Sequence, residues 1–268
     1  MAWTPPADTD GDGRWSTAAF APALALARAA VDLVLPHRCA LCGTILGTER
    51  GLCGACWAEL RFVTPPWCSV CGRPYDEDDA GIDPCGLCRA APPTLRRTRA
   101  ALAYDDRSRR LVVAFKHYGR LSLRPLFGLW LALPAAELLD EVDLIAPVPL
   151  HRRRLMERGF NQAALLAAGL ERPDGPRHVP DLLQRTRATA SQQGLGARAR
   201  RSNVTAAAFR VHPAHRALVA DRRVVVVDDV LTTGATLDAC ARTLLRAGAR
   251  AVDGLALARV TSTHGDLT

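Results

Sequence analysis

Val224-Val225-Val226-Val227-Asp228-Asp229-Val230-Leu231-Thr232-Thr233-Gly234-Ala235-Thr236 decides the fold. Four β-branched apolar residues in a row read as a buried central strand, which predicts Val224–Val227 as its extent. Two acids follow at its carboxyl end. A Thr/Gly turn then opens a helix, predicted over Gly234–Ala247, with Gly248 at the position of a terminating glycine. In open α/β sheets the ligand crevice lies outside the carboxyl ends of the strands. A helix N-terminus there presents free N–H groups and the positive end of a dipole, which suits a phosphate. Gly234 lets backbone approach that phosphate closely. The hydroxyls of Thr232, Thr233 and Thr236 add donors. Paired carboxylates at a strand end suit ribose hydroxyls, bound directly or through a metal.

Outward from this segment the chain alternates strand and helix signals. Arg99–Tyr104, Leu111–Phe115, Asp143–Pro147 and Ala251–Ala258 read as strands. Leu121–Leu139 and Phe160–Leu170 read as helices, with Asn161 able to cap the second. This alternation predicts an α/β fold, a mostly parallel sheet flanked by helices.

Upstream the composition changes. Eight of the nine cysteines fall in four Cys-x-x-Cys pairs: Cys39/Cys42, Cys53/Cys56, Cys68/Cys71 and Cys85/Cys88. Pairs at this spacing read as zinc knuckles rather than disulfides. Four thiolates per ion form a closed, structural zinc site, so eight can hold two zinc ions. Sequential and cross-braced pairing are both compatible with the spacing. So small a region has little apolar core, and metal is expected to supply its folding energy. Cys240 lies inside the helix after the phosphate turn and reads as a small buried apolar residue. Trp57 and Trp67 flank the knuckles and are expected to pack there rather than stack on bases. Asp8, Asp10 and Asp12 imitate the start of a calcium loop, but Ala19 stands where the bidentate Glu is needed.

The expected organisation is therefore a disordered N-terminus over 1–17, a helix (Ala18–Leu35) plus double zinc ribbon over 18–90, and the α/β domain over 95–262. No run of 18 uncharged apolar residues predicts a transmembrane helix, and Ala18–Leu35 makes a poor signal peptide. A cytoplasmic protein is expected. The net charge of +8 is uneven. Leu150–Arg223 holds 15 arginines against five acids, so this segment carries +10 and the rest of the chain −2. A basic middle segment suits a phosphate-bearing partner.

The 13-residue stretch resembles the binding motif for 5-phosphoribosyl-1-diphosphate (PRPP) of type I phosphoribosyltransferases. Asp143–Leu150, Arg158–Gln162, Phe115–Tyr118, Gln192–Leu195, Arg201–Asn203 and the cysteine module resemble the ComF family, the competence-associated branch of that fold. The likeness runs from about Leu33 to Val260. It implies a type I phosphoribosyltransferase fold with Asp228 and Asp229, the catalytic candidates, on the ribose 2′ and 3′ hydroxyls. Val230, Leu231, Thr232, Thr233, Gly234, Ala235 and Thr236 complete the PRPP site, with Thr232–Thr236 around the 5′-phosphate. Magnesium accompanies PRPP. Val148, Pro149, Leu150, His151 and Arg152 stand where the family cradles diphosphate, and Lys116, the sole lysine, is a second cation for it. Thr186–Arg200 resembles the family's closing loop, with Arg187, Gln192 and Arg201 as its candidates. Single-stranded DNA and a competence helicase are the macromolecular partners that the resemblance implies. Three functions are compatible with these residues: a DNA-processing factor, a phosphoribosyltransferase acting on a nitrogen acceptor, and a PRPP sensor without chemistry.

Overall fold

The computed structural model describes residues 36–47, 51–75, 82–117, 121–186 and 208–261. The expectations for residues 1–35 and for most of the closing loop, with Arg187, Gln192 and Arg201, lie outside them. The chain divides into two units, residues 1–53 and 54–268.

In the first unit, Cys39 to Gly43 forms a knuckle. The Gly43 N–H donates to the Cys39 carbonyl at 3.0 Å, and the Cys39 N–H donates to the Thr44 carbonyl at 2.8 Å. Gly43 takes φ +78°, a left-handed backbone that glycine adopts without a Cβ clash.

The second unit opens with two short helices, α1 (Gly54–Ala58) and α2 (Gly86–Ala90). Then come β1 (Thr98–Ala103), α3 (Asp106–His117), α4 (Arg124–Leu139), β2 (Leu144–Pro147), α5 (Arg152–Arg158) and α6 (Gln162–Ala168). Among the described residues β3 (Arg177–His178), β4 (Leu183–Arg185), β5 (Phe209–Val211), α7 (Arg216–Val219), β6 (Arg223–Leu231), α8 (Ala235–Arg246) and β7 (Ala251–Arg259) follow. Five strands form one parallel sheet in the order β1-β7-β6-β2-β3, while β4 and β5 pair antiparallel apart from it.

β6 is central because its four valines are fully buried, with neighbours on both edges. Its carboxyl half continues as a strand beyond Val227. β7 runs alongside and extends the ladder through Asp228↔Ala256, Val230↔Ala258 and Leu231↔Arg259. α8 covers the sheet with Leu237, Cys240, Ala241 and Leu244, one face at helical spacing, all buried. Cys240 has the small buried role expected of it. Gly254 of β7 lies under this face; a Cβ there would meet the Leu237 Cδ1 at 3.2 Å and the Thr98 side chain at 3.3 Å.

Leu111–Phe115, expected as a strand, is helical and belongs to α3. The start signal is Asp105, whose Oδ1 accepts from the N–H groups of Arg107 (3.1 Å) and Ser108 (2.9 Å). The Ser108 hydroxyl donates to the Ala103 carbonyl at 2.7 Å, fastening the new helix to the end of β1. Leu111, Val112 and Phe115 then share a buried helical face, and Phe115 meets Phe127 of α4 edge-on at 5.2 Å. Packing outweighs the mild preference of two valines for strand.

The outer edge of β1 is engaged by the cysteine-bearing segment. The Val63 N–H donates to the Ala101 carbonyl (2.9 Å), and the Ala103 N–H donates to the Arg61 carbonyl (2.8 Å). Above this contact Trp57, Phe62 and Trp130 pack as an aromatic cluster with centroids 5.3–5.7 Å apart. Trp67 lies beneath the Arg99 guanidinium at 5.3 Å. Both tryptophans thus pack against protein groups, but their partners Trp130 and Arg99 belong to the α/β domain rather than to the ribbon expected to receive them.

Candidate functional site

β2 and β6 are adjacent and parallel, with Pro147 opposite Val227, so the segment after β2 and the acids of β6 share one end of the sheet. The Val148 N–H donates to the Val227 carbonyl at 2.8 Å. Asn161 caps α6 by accepting from the Ala163 N–H, as anticipated, and its Nδ2 also donates to the Val148 carbonyl at 3.0 Å. The segment Val148–Arg152 is thereby pinned at both sides. His151 caps α5, its Nδ1 accepting from the Arg153 N–H at 3.3 Å. Arg152 opens α5 and is exposed.

Asp228 and Asp229 stand within β6 rather than after it. The Asp229 N–H donates to Asp228 Oδ1 at 2.8 Å. Asp229 Oδ1 is 2.9 Å from Lys116 Nζ at the end of α3. Removal from water pushes the Asp228 carboxyl up to about 7, and the adjacent Asp229 charge adds to it. The Asp229 N–H, Lys116 and Arg185 pull the other way. Beyond the strand Gly234 takes φ +76° and starts α8. Gly234, at the N-cap, has no side chain with which to cap that helix. Thr233 Oγ1 lies 3.4 Å from the Ala235 N–H, a long contact. One end of the sheet thus gathers two carboxylates, one ammonium, a helix N-terminus and a pinned loop. That combination can accept hydroxyl protons on one side and hold phosphate oxygens on the other.

Arg185 went unnoticed in the sequence. It ends β4, stacks over Phe209 at 5.4 Å, and its positive charge acts on Asp228. Only its place just before the expected closing loop marked it.

The cysteines gather as two sequential sets. The sulfurs of Cys39, Cys42, Cys53 and Cys56 lie within 4.8 Å of one another, as do those of Cys68, Cys71, Cys85 and Cys88. The Cys42–Cys53, Cys71–Cys85 and Cys68–Cys88 sulfurs are 3.6, 3.8 and 4.0 Å apart. These are too far for disulfides, whose sulfurs bond at about 2.05 Å. Four sulfurs at about 2.3 Å around one tetrahedral ion would be about 3.8 Å apart. In the second set burial raises the Cys68 thiol, yet backbone N–H groups of Cys85, Cys71 and Val70 outweigh it and bring it down to about 6. Burial, then the charge of Cys71, pushes Cys88 up instead. Four crowded thiols cannot all ionise without a cation among them, so both sets fit structural zinc.

The second knuckle repeats the first: the Gly72 N–H donates to the Cys68 carbonyl at 2.9 Å, and Gly72 takes φ +69°. It is bound to the sheet. The Thr98 N–H donates to the Val70 carbonyl at 2.7 Å. Arg99 Nη1 donates to the Ser69 carbonyl at 3.0 Å while its Nε and Nη2 grip Glu137 at 2.7 Å each. Arg259 donates to the Cys71 carbonyl. Neither arginine was marked in the sequence, because an arginine inside a strand carries no signal of its carbonyl partner.

Comparison with known proteins gives two matches along the chain, a double zinc ribbon domain over residues 30–90 and a phosphoribosyl transferase domain over residues 157–265. The chain is 34% identical to the DNA utilization protein YhgH of Escherichia coli K12 over 233 residues, 85% of this chain and 99% of the relative. It is 30% identical to competence protein F of Haemophilus influenzae, covering 83% of this chain and 96% of that one. Competence protein ComFC of Bacillus subtilis is 28% identical, covering 76% and 82%. Fold and cysteine sets define a phosphoribosyltransferase-fold protein with a double zinc ribbon. The chain belongs to the ComF family, with YhgH, competence protein F and ComFC as relatives. Among the described residues no helix is long and apolar enough to cross a membrane.

Proposed function

We propose that this protein binds PRPP with magnesium at Val224–Thr236 and serves natural competence by handling imported single-stranded DNA. The observation that carries the ligand assignment is the pair Asp228 and Asp229, held side by side at the end of β6 that leads through Gly234 into α8. The carboxylates take the ribose 2′ and 3′ hydroxyls. The α8 N-terminus and the hydroxyls of Thr232, Thr233 and Thr236 take the 5′-phosphate. Lys116 and Val148–Arg152 face the diphosphate, with Arg152 adding positive charge. Magnesium, carried on the diphosphate, neutralises part of its charge. The names of YhgH, competence protein F and ComFC support the DNA role, and the arginine-rich segment supplies the charge for phosphate contacts.

Isothermal calorimetry with magnesium and PRPP tests the site. Heat of binding in the wild type and none in the Asp228→Ala/Asp229→Ala double variant is the expected result. Unchanged binding in that variant would overturn the assignment. A salt titration of single-stranded DNA tests the partner: affinity is expected to fall steeply with salt. Negligible affinity at low salt removes the physical basis of the DNA role.

Lys116, 2.9 Å from Asp229, favours a second reading, a phosphoribosyltransferase. The C1–O bond to diphosphate breaks with its electron pair leaving on diphosphate. A nitrogen acceptor forms the new C1–N bond and gives up its proton to water. The cation offsets charge on the leaving group. Pyrophosphate release across a panel of bases and amines measures that activity.

A further inference from the structure

The pairing Leu183↔Val211 puts the turn that enters β4 and the turn that leaves β5 at the same end of their hairpin. Asp181 stands in the first turn and His212 in the second. A 3₁₀ segment, Pro213–His215, follows His212 at once. Three residues per turn eclipse the side chains at positions i and i+3, so His212 and His215 project together. Their ring centroids are 5.2 Å apart. His215 Nε2 lies 2.8 Å from Asp181 Oδ1, and His212 Nε2 lies 4.0 Å from Asp181 Oδ2. One donor atom from each of the three residues falls within 4.8 Å of the others. The cluster takes no part in the ribose and phosphate site or in the cysteine sets.

We propose that Asp181, His212 and His215 form a third metal site, for a divalent transition ion of the zinc class, at the root of the β4–β5 hairpin. Two imidazole nitrogens and one carboxylate oxygen are a donor set that zinc, cobalt(II) and nickel(II) accept, with water completing the shell. Ligands at about 2.0–2.2 Å on a tetrahedral ion lie about 3.3–3.6 Å apart. The 2.8 Å contact on Oδ1 therefore opens by less than about 1 Å, and His212 Nε2, 4.0 Å from Oδ2 and within 4.8 Å of the other donor atoms, closes by at most about 1.5 Å. The imidazoles are partly buried, with 30% and 23% of their surfaces exposed, while Asp181 is the open side at 58%. Binding has a cost. His212 Nδ1 accepts from the Ala214 N–H at 3.2 Å, and a metal on Nε2 places the ring proton on Nδ1, giving that contact up. The ion in return joins residues 34 positions apart and locks the hairpin at its base.

The test uses the full chain with zinc on its cysteine sets and cobalt(II) as the probe. The expected result is one further equivalent bound, with visible d–d absorption and no sulfur-to-cobalt charge-transfer band. The His212→Ala/His215→Ala variant is expected to lose that equivalent while keeping its cysteine-bound zinc. Asp181→Asn, which spares both rings, is expected to weaken it by roughly tenfold or more and covers the case in which the double variant misfolds. Cobalt is also expected to raise the melting temperature of the wild type and not that of the variants. Wild-type affinity weaker than about 100 µM, or equal binding by Asp181→Asn and the wild type, would overturn the site.

Discussion

The Arg259 guanidinium donates to the backbone carbonyl of Cys71 at 2.6 Å, tying the second cysteine knuckle to the end of β7. Arg259 lies opposite Leu231, the residue that ends the strand bearing both aspartates. One interaction therefore links the knuckle to the strand next to the ligand end. Arg259→Met keeps most of the stem and removes the donor. The part-buried carbonyl then lacks that donor, which costs about 1 kcal/mol. A urea titration is expected to show that loss. Zinc release to a chromogenic chelator is expected to quicken for one of two bound ions, the one on Cys68, Cys71, Cys85 and Cys88.

Gly72 is a sharper probe of the same junction. A Cβ on it would lie 2.2 Å from the Thr98 carbonyl oxygen, and its φ of +69° is one that alanine avoids. Gly72→Ala must displace either the knuckle or β1. A loss of at least about 2 kcal/mol is expected in thermal or urea unfolding. Gly43→Ala shares the strained φ but meets nothing within 4 Å, so its cost should be clearly smaller.

Asp228 gives a stability effect with a defined sign. Its carboxyl is raised to about 7, chiefly by removal from water and then by the Asp229 charge. A group raised in the folded state favours folding while it is protonated. That contribution is complete below the unfolded value of about 3.9 and is lost as pH rises through the folded value. Asp228→Asn escapes the loss. Without ligand, the variant is expected to melt a few degrees above the wild type at pH 8, with the gap closing toward pH 5. Its affinity for magnesium and PRPP should fall at both. A wild type that melts higher at pH 8 would contradict the assigned direction.

Lys116 neutralises Asp229 in the free protein and faces the proposed diphosphate position. Lys116→Met is expected to weaken magnesium–PRPP binding by about tenfold or more, read by calorimetry, with Lys116→Arg recovering part of it. Equal affinity in Lys116→Met and the wild type would remove Lys116 from the site.

Much of this arrangement was legible in the chain. Four consecutive valines read as a doubly covered strand, and the Thr/Gly turn after them as the start of a helix. Cysteine spacing gave both knuckles, though only coordinates show that the pairs combine sequentially. Other parts depend on contacts that no local pattern records. β6 runs on to Leu231 because β7 lies beside it, so the acids sit within the ladder. Leu111–Phe115 is helical because Asp105 caps and Phe127 receives Phe115, two facts separated from the apolar run itself. β4 and β5 have three residues each and sit far apart in sequence, too short for any period to emerge. Arg185 reaches Asp228 only through that hairpin.

β1 is an outermost strand, and such an edge is a template onto which a second copy of a chain can add a strand. Here the peptide groups of Arg61 and Val63 already occupy Ala101 and Ala103. The cysteine-bearing segment thus covers part of an edge onto which another chain could otherwise add. Stripping or oxidising the cysteines is expected to loosen that cover while leaving the valine core of β6 intact. Metal loss in this protein should accordingly surface first as concentration-dependent aggregation rather than as a change in helix or strand content.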